Sequence, residues 1–348
     1  MENMKENKYL RWLSGATDSV YWHDSAIPEE LSRAETNGAV GVTTNPILVY
    51  SSLRNHADFW EDKLKHIDES VQADERAEAL TKCVTSTLVE KLSKHAKKKG
   101  GGFCCAQVNP IKHGDQNAMV EQARRYSQVA EKIVVKLPAT SAGIRAFEEC
   151  AAKGLNVAAT VSFTVAQVLA VGEAYERGRK KAEANGIEPG LGIAVLMVGR
   201  LDDYLRDVAL DTGAGVSEED IRCSGLAAIK RAYSVFKERG YTCKIMPAGF
   251  RGPYHITELS GADMIMSILP KIADTLLSVP EPFSTRIDVP VPADAIKRLL
   301  MMPEFIKAYE PNGLDINEFV TYGATNRTLT QFCLTGWDRL AALDIGSH

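Results

Sequence analysis

The stretch IVVKLPAT, residues 133–140, decides the fold of this chain. Its first five positions hold four aliphatic residues and one lysine, Lys136, without any polar–apolar alternation. A continuous apolar run of this kind is typical of a strand that is buried on both faces of a parallel sheet. Lysine is among the residues least often fully buried, so the place of Lys136 requires an explanation.

Apolar runs of the same kind recur along the chain. They lie at 19–23, 39–43, 103–108, 132–138, 155–161, 192–198, 241–247 and 263–269. Amphipathic segments such as 118–132 and 142–154 separate them. This alternation predicts βαβ units and a parallel sheet. About eight strands are what closes a (β/α)8 barrel, the TIM-barrel fold.

The rival architecture is a doubly wound open sheet. Such a sheet normally carries a glycine-rich phosphate loop after its first strand. Here the first run leads into HDSAIPEEL, residues 23–31, which contains no glycine, and the GGG at 100–102 precedes a strand. The sequence therefore favours the barrel.

Three segments exceed a simple strand–helix repeat. Residues 47–98 are expected to form two or three helices, and 201–240 hold an insertion in which Ser217 begins a helix. Residues 280–348 are expected to form a loop or short arm, followed by helices that pack outside the barrel or at a subunit contact of a homo-oligomer. Since no Pro/Gly/Ser-rich linker interrupts the chain, residues 1–348 are predicted to form one domain.

Composition excludes several classes of protein. The 348 residues are 45% hydrophobic and 25% charged, with a formal net charge of -4, so neither a nucleic-acid partner nor a membrane surface is indicated. No apolar stretch approaches the ~20 residues that span a bilayer. The N-terminal stretch has no apolar centre typical of a signal peptide, which predicts a cytoplasmic protein. The seven cysteines form no CxxC pair, so neither a disulfide framework nor a zinc site is predicted.

Polar side chains follow or end most of the predicted strands. They are Asp24, Thr44, Asn45, Gln107, Lys136, Thr160, Ser162, Arg200 and Arg251. In a (β/α)8 barrel the active site lies at the carboxyl ends of the strands. We therefore expect these side chains to converge on one rim and to form an active site.

A place at such an active-site rim gives a chemical reason for the lysine in this apolar strand. Burial favours the neutral form of an amine, and a neutral amine can attack a ketone carbonyl to form an imine, or Schiff base. The imine then serves as an electron sink for breaking an adjacent carbon–carbon bond. From this stretch alone, a lysine that extends its ammonium out of the barrel mouth, or pairs with a carboxylate, is an equally good interpretation.

The neighbouring polar residues each have a catalytic and a structural interpretation. Asp24 could remove a hydroxyl proton, or it could be a turn residue before the next helix. Asn45 could bond substrate hydroxyls or shape the turn at Pro46. Gln107 and Thr160 could hold a water molecule between them, or each could satisfy a backbone group.

Two arginines at strand ends could bind an anion. Arg200 and Arg251 carry the planar donor groups that suit a phosphate. The alternative is an ion pair of either arginine with Asp202, Asp203 or Glu258.

Several of these segments carry a resemblance to a known family. They are GVTTNPIL (41–48), VVKLPATSAGIRAF (134–147), GLNVAATVSFTVAQVLA (154–170), VGRLDD (198–203) and AGFR (248–251). In this order, over roughly residues 19–275, the sequence resembles the transaldolase and fructose-6-phosphate aldolase family, class I aldolases on a (β/α)8 barrel.

The resemblance implies a transfer of a dihydroxyacetone unit from a ketose phosphate to an aldehyde acceptor. It implies that Lys136 forms the Schiff base and that Asp24 is the acid/base. Gln107 and Thr160 would position a catalytic water. The implied substrate-binding residues are Asn45, Thr44, Arg200, Arg251, Ser162 and Met197. Neither a cofactor nor a metal is implied, because the imine replaces a Lewis acid.

The sequence departs from the family pattern at five positions. Gln107 stands where transaldolases usually carry Glu and where the aldolase branch usually carries Gln. An asparagine is replaced by Ala158, a serine and an aromatic residue by Val195 and Met197, and a serine by Gly249. These changes keep three alternatives open: a simple aldolase, a relative that acts on another anionic ketose such as a sulfonated sugar, and a non-catalytic sugar-binding barrel.

Overall fold

A computed structural model describes residues 6–68 and 71–344. Residues 1–5, 69–70 and 345–348 belong to the N-terminal stretch, the 47–98 segment and the 280–348 extension, and these parts of the corresponding expectations lie outside the described residues.

The described residues contain eight strands, all parallel. They are β1 (Val20–Asp24), β2 (Gly41–Thr43), β3 (Cys104–Gln107), β4 (Ile133–Pro138), β5 (Val157–Thr160), β6 (Gly192–Leu196), β7 (Lys244–Pro247) and β8 (Ile265–Ile268). Their order in the sheet is β7-β6-β5-β4-β3-β2-β1-β8. A parallel bridge between Ile245 and Met264 joins the two outermost strands. The predicted (β/α)8 barrel, with all eight apolar runs as its strands, is therefore confirmed.

Helices surround the barrel. The helices before β5 are α1 (Lys8–Ala16), α2 (Pro28–Thr36), α3 (Pro46–Asn55), α4 (Ala57–Leu64), α5 (Ala73–Leu92), α6 (Gln116–Ser127) and α7 (Ser141–Ala152). Those from β5 to β8 are α8 (Val165–Ala184), α9 (Val198–Thr212), α10 (Glu218–Ile221), α11 (Ser224–Arg239) and α12 (Pro253–Leu259). After β8 come α13 (Pro270–Thr275), α14 (Ala293–Leu299), α15 (Pro303–Tyr309), α16 (Gly323–Gln331) and α17 (Asp338–Ala341).

The extra segments take the helical form expected of them. The described part of 47–98 contains α3, α4 and α5. Ser217 caps α10 by accepting a hydrogen bond from the backbone N–H of Asp220, whose carboxylate accepts from the N–H of Ser217. The chain from 283 to 292 has no regular helix or strand. These features confirm the predictions for the insertions.

The last helices return to the barrel mouth. A π-helical segment, Phe332–Trp337, connects α16 to α17 without a break. Helix α16 packs against α9, the segment 332–337 packs against α3, and α17 packs against α5. The C-terminal extension therefore lies against α3 and α9, which directly follow β2 and β6, and against α5.

The barrel strands are buried on both faces, as their continuous apolar pattern predicts. All six residues of β4 are buried, and so are those of β5 and β6. Burial of aliphatic side chains on both faces is the main favourable contribution to the stability of such a sheet. No helix among the described residues is both long enough and apolar enough to cross a membrane.

Candidate active site

Lys136 lies inside the barrel near its mouth. It occupies the middle of β4, pairs in register with Gln107 on β3 and Ala158 on β5, and is 8% exposed. Its Nζ donates a hydrogen bond to the carbonyl oxygen of Thr44, just after β2, at 3.2 Å. Among the described residues this carbonyl is the hydrogen-bond acceptor of the amine, and Ala158, its register neighbour on β5, carries only a methyl side chain.

Gln107 presents an unsatisfied acceptor next to this lysine. The residue is 2% exposed, and its side-chain Oε1 is buried without a hydrogen-bond partner among the described residues. Buried polar atoms are rarely left unpaired, and those that are often bind water or a ligand. Gln107 is therefore suited to hold a water or substrate hydroxyl close to Lys136.

Asp24 points into the barrel, whereas its neighbour His23 points outward. Asp24 Oδ1 accepts a hydrogen bond from Thr43 Oγ1 on β2 at 2.8 Å, and the same Thr43 oxygen lies 2.6 Å from Ser267 Oγ on β8. His23 instead lies with Nε2 3.7 Å from the carboxylate of Glu30 on α2. Adjacent strand residues face opposite sides, so only Asp24 can reach a substrate inside the barrel.

The environment of Asp24 perturbs its acidity. Desolvation of the buried carboxyl raises its pKa, while the positive charge of Lys136 and the bond from Thr43 oppose that rise without cancelling it. The charge of Arg200 also acts on the Asp24 carboxyl. A carboxyl with a raised pKa accepts a proton more readily, as a general base must.

The end of β5 carries a strained backbone. Thr160 is 1% exposed at the strand end, and Val161 follows it with φ 59°, the one positive φ found for a non-glycine residue in the described chain. A left-handed conformation is unfavourable for a β-branched residue and persists only where the surroundings impose it. Strain of this kind clusters at functional sites. Here the strained residue, Val161, directly follows Thr160, the predicted water-positioning residue.

Two predicted substrate contacts use their hydroxyl groups for the backbone. Ser162 Oγ donates to the carbonyl of Val195 at 2.5 Å, and Thr44 Oγ1 donates to the carbonyl of Cys105 at 2.7 Å. Both residues are 0% exposed. Their side chains join neighbouring strands, and Thr44 reaches Lys136 only through its carbonyl oxygen.

Asn45 is the N-cap of α3. Its Oδ1 accepts from the backbone N–H groups of Ile47 at 3.0 Å and Leu48 at 3.1 Å. The side-chain oxygen of Asn45 therefore has a structural role at the start of α3, which was the alternative to a substrate contact. A contact with substrate would have to use its Nδ2 group.

The two predicted anion-binding arginines follow adjacent strands. Arg200 is in the first turn of α9 after β6, and Arg251 lies on the loop after β7. A Cβ on Gly199 would lie 2.4 Å from the carbonyl oxygen of Gly249, so only glycine permits this close approach of the helix start to the loop. Met197, which precedes α9, is 8% exposed beside the same helix start.

The partners of the two arginines differ. Arg251 donates through Nε to Asp203 Oδ2 at 2.7 Å, which is the ion pair considered as the alternative to anion binding. Arg200 donates to the neutral Oε1 of Gln331 on α16 at 2.5 Å. Burial, together with the charge of Arg251, lowers the pKa of Arg200.

A buried network supports the Arg251 loop. Asp202 and His255 are both 0% exposed, and His255 Nε2 lies 2.9 Å from Asp202 Oδ2. The backbone N–H of Arg251 donates to His255 Nδ1 at 3.2 Å. Since Nδ1 accepts, the ring hydrogen is on Nε2, which donates to Asp202. Ser224 Oγ also donates to Asp202, at 2.8 Å.

Sequence reasoning missed the residues that support the predicted set. Thr43 and Ser267 bond toward Asp24, His255 supports Arg251, and Gln331 contacts Arg200. The single serine within the apolar run 263–269 was the only local signal for Ser267. Gln331 had none, because it lies 131 residues from Arg200 along the chain.

The structure brings most of the predicted residues to one end of the barrel. Lys136, Gln107 and Asp24 face its interior, while Arg200 lies in the first turn of α9 after β6 and Arg251 on the loop after β7. Within residues 6–68 and 71–344, no group of three or more His, Cys, Asp or Glu side chains is arranged to hold a metal ion. The polar groups at this end include an amine, a carboxyl, an amide and two guanidinium groups.

Known proteins resemble this chain over most of its length. A family model described as transaldolase/fructose-6-phosphate aldolase matches residues 21–328. A transaldolase of Thiobacillus denitrificans is 30% identical over 251 residues, which cover 70% of this chain and 65% of that protein, slightly less than two thirds. A probable transaldolase of Geotalea daltonii is 29% identical over 247 residues, 70% of this chain and 84% of that protein. The chain therefore belongs to the transaldolase and fructose-6-phosphate aldolase family.

Proposed function

We propose that this protein transfers a dihydroxyacetone unit from a ketose phosphate to an aldehyde acceptor through a Schiff base on Lys136. The observation that carries the proposal is the place of Lys136, 8% exposed within the barrel and next to the unpaired Oε1 of Gln107. Membership of the transaldolase and fructose-6-phosphate aldolase family supports the same chemistry.

The first half of the reaction would break a carbon–carbon bond. The Lys136 amine attacks the C2 carbonyl of the ketose, and loss of water leaves a protonated imine. Asp24 takes the proton of the C4 hydroxyl, the C3–C4 bond breaks, and its electron pair moves into the imine. An aldose leaves, and a three-carbon enamine stays bound to Lys136.

The second half would run in the opposite direction on a new acceptor. The enamine carbon attacks the acceptor aldehyde, and Asp24 returns its proton to the new hydroxyl oxygen. Water then hydrolyses the imine and releases the product ketose. Gln107 and Thr160 would position that water, consistent with the unpaired acceptor of Gln107.

The remaining residues would bind the two ends of the substrate. Asn45 would bond the dihydroxyacetone part through Nδ2, since Oδ1 caps α3. Arg200 and Arg251 would bind the terminal anion. Thr44 would act through its carbonyl, and Met197 would line the anion end. Ser162 would meet the substrate as an acceptor only, because its hydroxyl hydrogen is donated to the Val195 carbonyl.

A simple aldolase is the second candidate. Gln107 favours it, because the aldolase branch of the family usually carries Gln at this position, whereas transaldolases usually carry Glu. Since an amide cannot accept a proton, proton transfer through the bound water should differ from that of a transaldolase with Glu. In an aldolase the enamine is protonated and the imine hydrolysed without any acceptor. The two candidates share every step up to C3–C4 cleavage.

Borohydride trapping tests the shared steps. The protein is incubated with fructose 6-phosphate or dihydroxyacetone, reduced with borohydride, digested and mapped by mass spectrometry. We expect a reduced adduct on Lys136 in the wild type and none in Lys136→Met, with circular dichroism showing that the variant is folded. An adduct on another lysine, or no adduct with a panel of phosphorylated and sulfonated ketoses, would refute the proposal.

The presence of an acceptor separates the two candidates. Fructose 6-phosphate is supplied with and without erythrose 4-phosphate, and three-carbon products are quantified. Obligate transfer yields a new ketose only with the acceptor. Release of dihydroxyacetone at the same rate without it would identify an aldolase.

A further inference from the structure

A third arginine, Arg327, lies beside the two proposed anion-binding arginines. Arg200 and Arg251 line a cavity of about 380 Å³ together with Arg327, Thr328 and Gln331 of helix α16. Arg327 lies 127 residues beyond Arg200 in the sequence, in the C-terminal extension. The cavity is thus built from three separate chain segments, each of which contributes one guanidinium group.

The cavity holds more positive than negative charge. Of the described side chains that line it, three are arginines, and Asp203 is the one carboxylate. Asp203 pairs with Arg251. Within the described parts of the chain, Arg200 bonds only to the neutral amide of Gln331, through Nη1, and lies 5.5 Å from the centroid of the Phe332 ring. The charge of Arg327 also acts on Arg200 and disfavours its protonated form. A bound anion would relieve this concentration of like charges.

Arg327 is free to change its partner at low energetic cost. It is paired with Asp207, and both side chains are more than half exposed. Exposed ion pairs contribute little to stability because water screens them. Arg327 can therefore turn from Asp207 to a ligand in the cavity that it already lines.

We propose that Arg327, on helix α16, is a specificity-determining residue that completes the anion site and favours a dianionic phosphate over a singly charged sulfonate. This inference rests on the proposed function, because it takes the ligand to be the terminal group of the ketose. Three guanidinium groups around one cavity suit a tetrahedral group with two negative charges.

The sequence of the neighbouring loop supports a donor from α16. Gly249 stands where the family usually has a serine, and its φ of 67° is a conformation that disfavours any side chain. Its loop therefore supplies no hydroxyl donor to the cavity. Thr328 and Gln331 of α16 bring a hydroxyl and an amide to the same space.

Anion binding can be measured without catalysis. Isothermal titration calorimetry at constant ionic strength and pH 8 compares inorganic phosphate with methanesulfonate as the singly charged probe. We expect the wild type to bind phosphate at least about tenfold more tightly than methanesulfonate. In Arg327→Ala we expect phosphate affinity to fall about tenfold or more, with a smaller loss in Arg327→Lys.

A matched variant separates ligand binding from the ion pair. Asp207→Asn removes the partner of Arg327 and keeps the arginine, so phosphate should bind as tightly as in the wild type or more tightly. If Arg327 mattered only through its ion pair, Asp207→Asn would weaken phosphate binding as Arg327→Ala does. Weaker phosphate binding in Asp207→Asn would therefore overturn the proposal. So would unchanged phosphate affinity in Arg327→Ala, or equal affinity of the wild type for phosphate and methanesulfonate.

Trapping of dihydroxyacetone keeps the two proposals distinguishable. Dihydroxyacetone carries no anion, so Arg327→Ala should form the Lys136 adduct at the wild-type level, which also shows that the variant is folded. If the wild type formed no adduct with any ketose, the Schiff-base function would be refuted. The calorimetric result on the anion site would still stand. Normal trapping with unchanged phosphate affinity in Arg327→Ala would refute the role of Arg327 alone.

Discussion

Thr43 donates its hydroxyl hydrogen to Asp24 Oδ1 across 2.8 Å, linking the ends of β1 and β2. Because Thr43 has only one hydroxyl hydrogen, Ser267, 2.6 Å away, must be the donor in its own contact with Thr43. A chain of two hydrogen bonds from β8 through β2 thus ends on the proposed base. The bond from Ser267 orients the Thr43 hydroxyl, and the bond from Thr43 orients the Asp24 carboxyl and stabilises its ionised form.

Removing that hydroxyl should shift the pH dependence of the reaction. The bond from Thr43 lowers the pKa of Asp24, against the rise that burial causes. The base must be ionised to accept a proton, so kcat should rise with pH through the pKa of Asp24. In Thr43→Val we expect this rising limb to move to higher pH, whereas Thr43→Ser should keep it in place. Identical limbs in kcat–pH profiles of all three proteins would contradict the assignment of Asp24.

Replacing Asp24, the proposed base, should lower kcat and raise the stability of the fold at neutral pH. Asp24→Asn should lower kcat by about 10²- to 10⁴-fold, the usual contribution of a general base. Burial raises the pKa of Asp24 in the folded state, so the stability it contributes is present below its unfolded pKa and is lost as pH rises through the folded pKa. The ionised carboxyl is therefore destabilising at neutral pH.

Thermal unfolding across a pH series checks the second half of this prediction. Asp24→Asn should have a higher Tm than the wild type at pH 7, and the difference should shrink as the pH is lowered toward 4. A lower Tm at pH 7 would show that attraction to Lys136 outweighs the desolvation of Asp24.

The imidazole of His255 should position Arg251. His255→Leu leaves the buried Asp202 without one donor and the Arg251 N–H without its acceptor. Loss of a partner by a buried group costs about 1–3 kcal/mol, so the Tm should fall. The KM for a phosphorylated ketose should rise, while the KM for dihydroxyacetone should not change.

His255→Gln is the matched control, because its amide can both donate and accept. In this variant the KM for the phosphorylated ketose should be close to the wild-type value and well below that of His255→Leu. A lower Tm in His255→Leu with an unchanged KM would mean that the network stabilises the fold without positioning Arg251.

Serine at position 249 should improve binding at the expense of stability. The Cβ would lie 3.7 Å from Arg200 Cγ, an ordinary contact, but φ is 67°. A left-handed non-glycine residue costs roughly 1–2 kcal/mol. A hydrogen bond to a charged group contributes about 1.5–3 kcal/mol, so Gly249→Ser should lower the KM for a ketose phosphate roughly ten- to hundredfold.

Gly213→Ser controls for the strain. Gly213 has φ 65° at the end of α9, and a Cβ added there would meet no atom within 4 Å. Both variants should lose a similar amount of thermal stability, and only Gly249→Ser should change KM. Equal KM values in both variants and the wild type would show that a hydroxyl at position 249 does not reach the substrate.

Local pattern was sufficient to predict the barrel and the lysine. Every apolar run became a strand, because continuous hydrophobicity marks strands that are buried on both faces. The carboxyl ends of parallel strands meet at one end of a barrel, so Lys136, Gln107 and Asp24 could be grouped without any knowledge of contacts. The period of two also implied that His23 and Asp24 face opposite sides, although it did not say which of them faces inward.

The sequence by itself thus determined the fold class, the chain positions of the proposed catalytic groups and their shared rim, since hydrophobic period and strand order are local properties. Only the tertiary structure decided what each group touches. It directed the hydroxyls of Thr44 and Ser162 to backbone carbonyls and brought Arg327 to the cavity of Arg200. Those contacts join segments far apart in the chain, and they depend on how helices pack on the barrel, which no local pattern encodes.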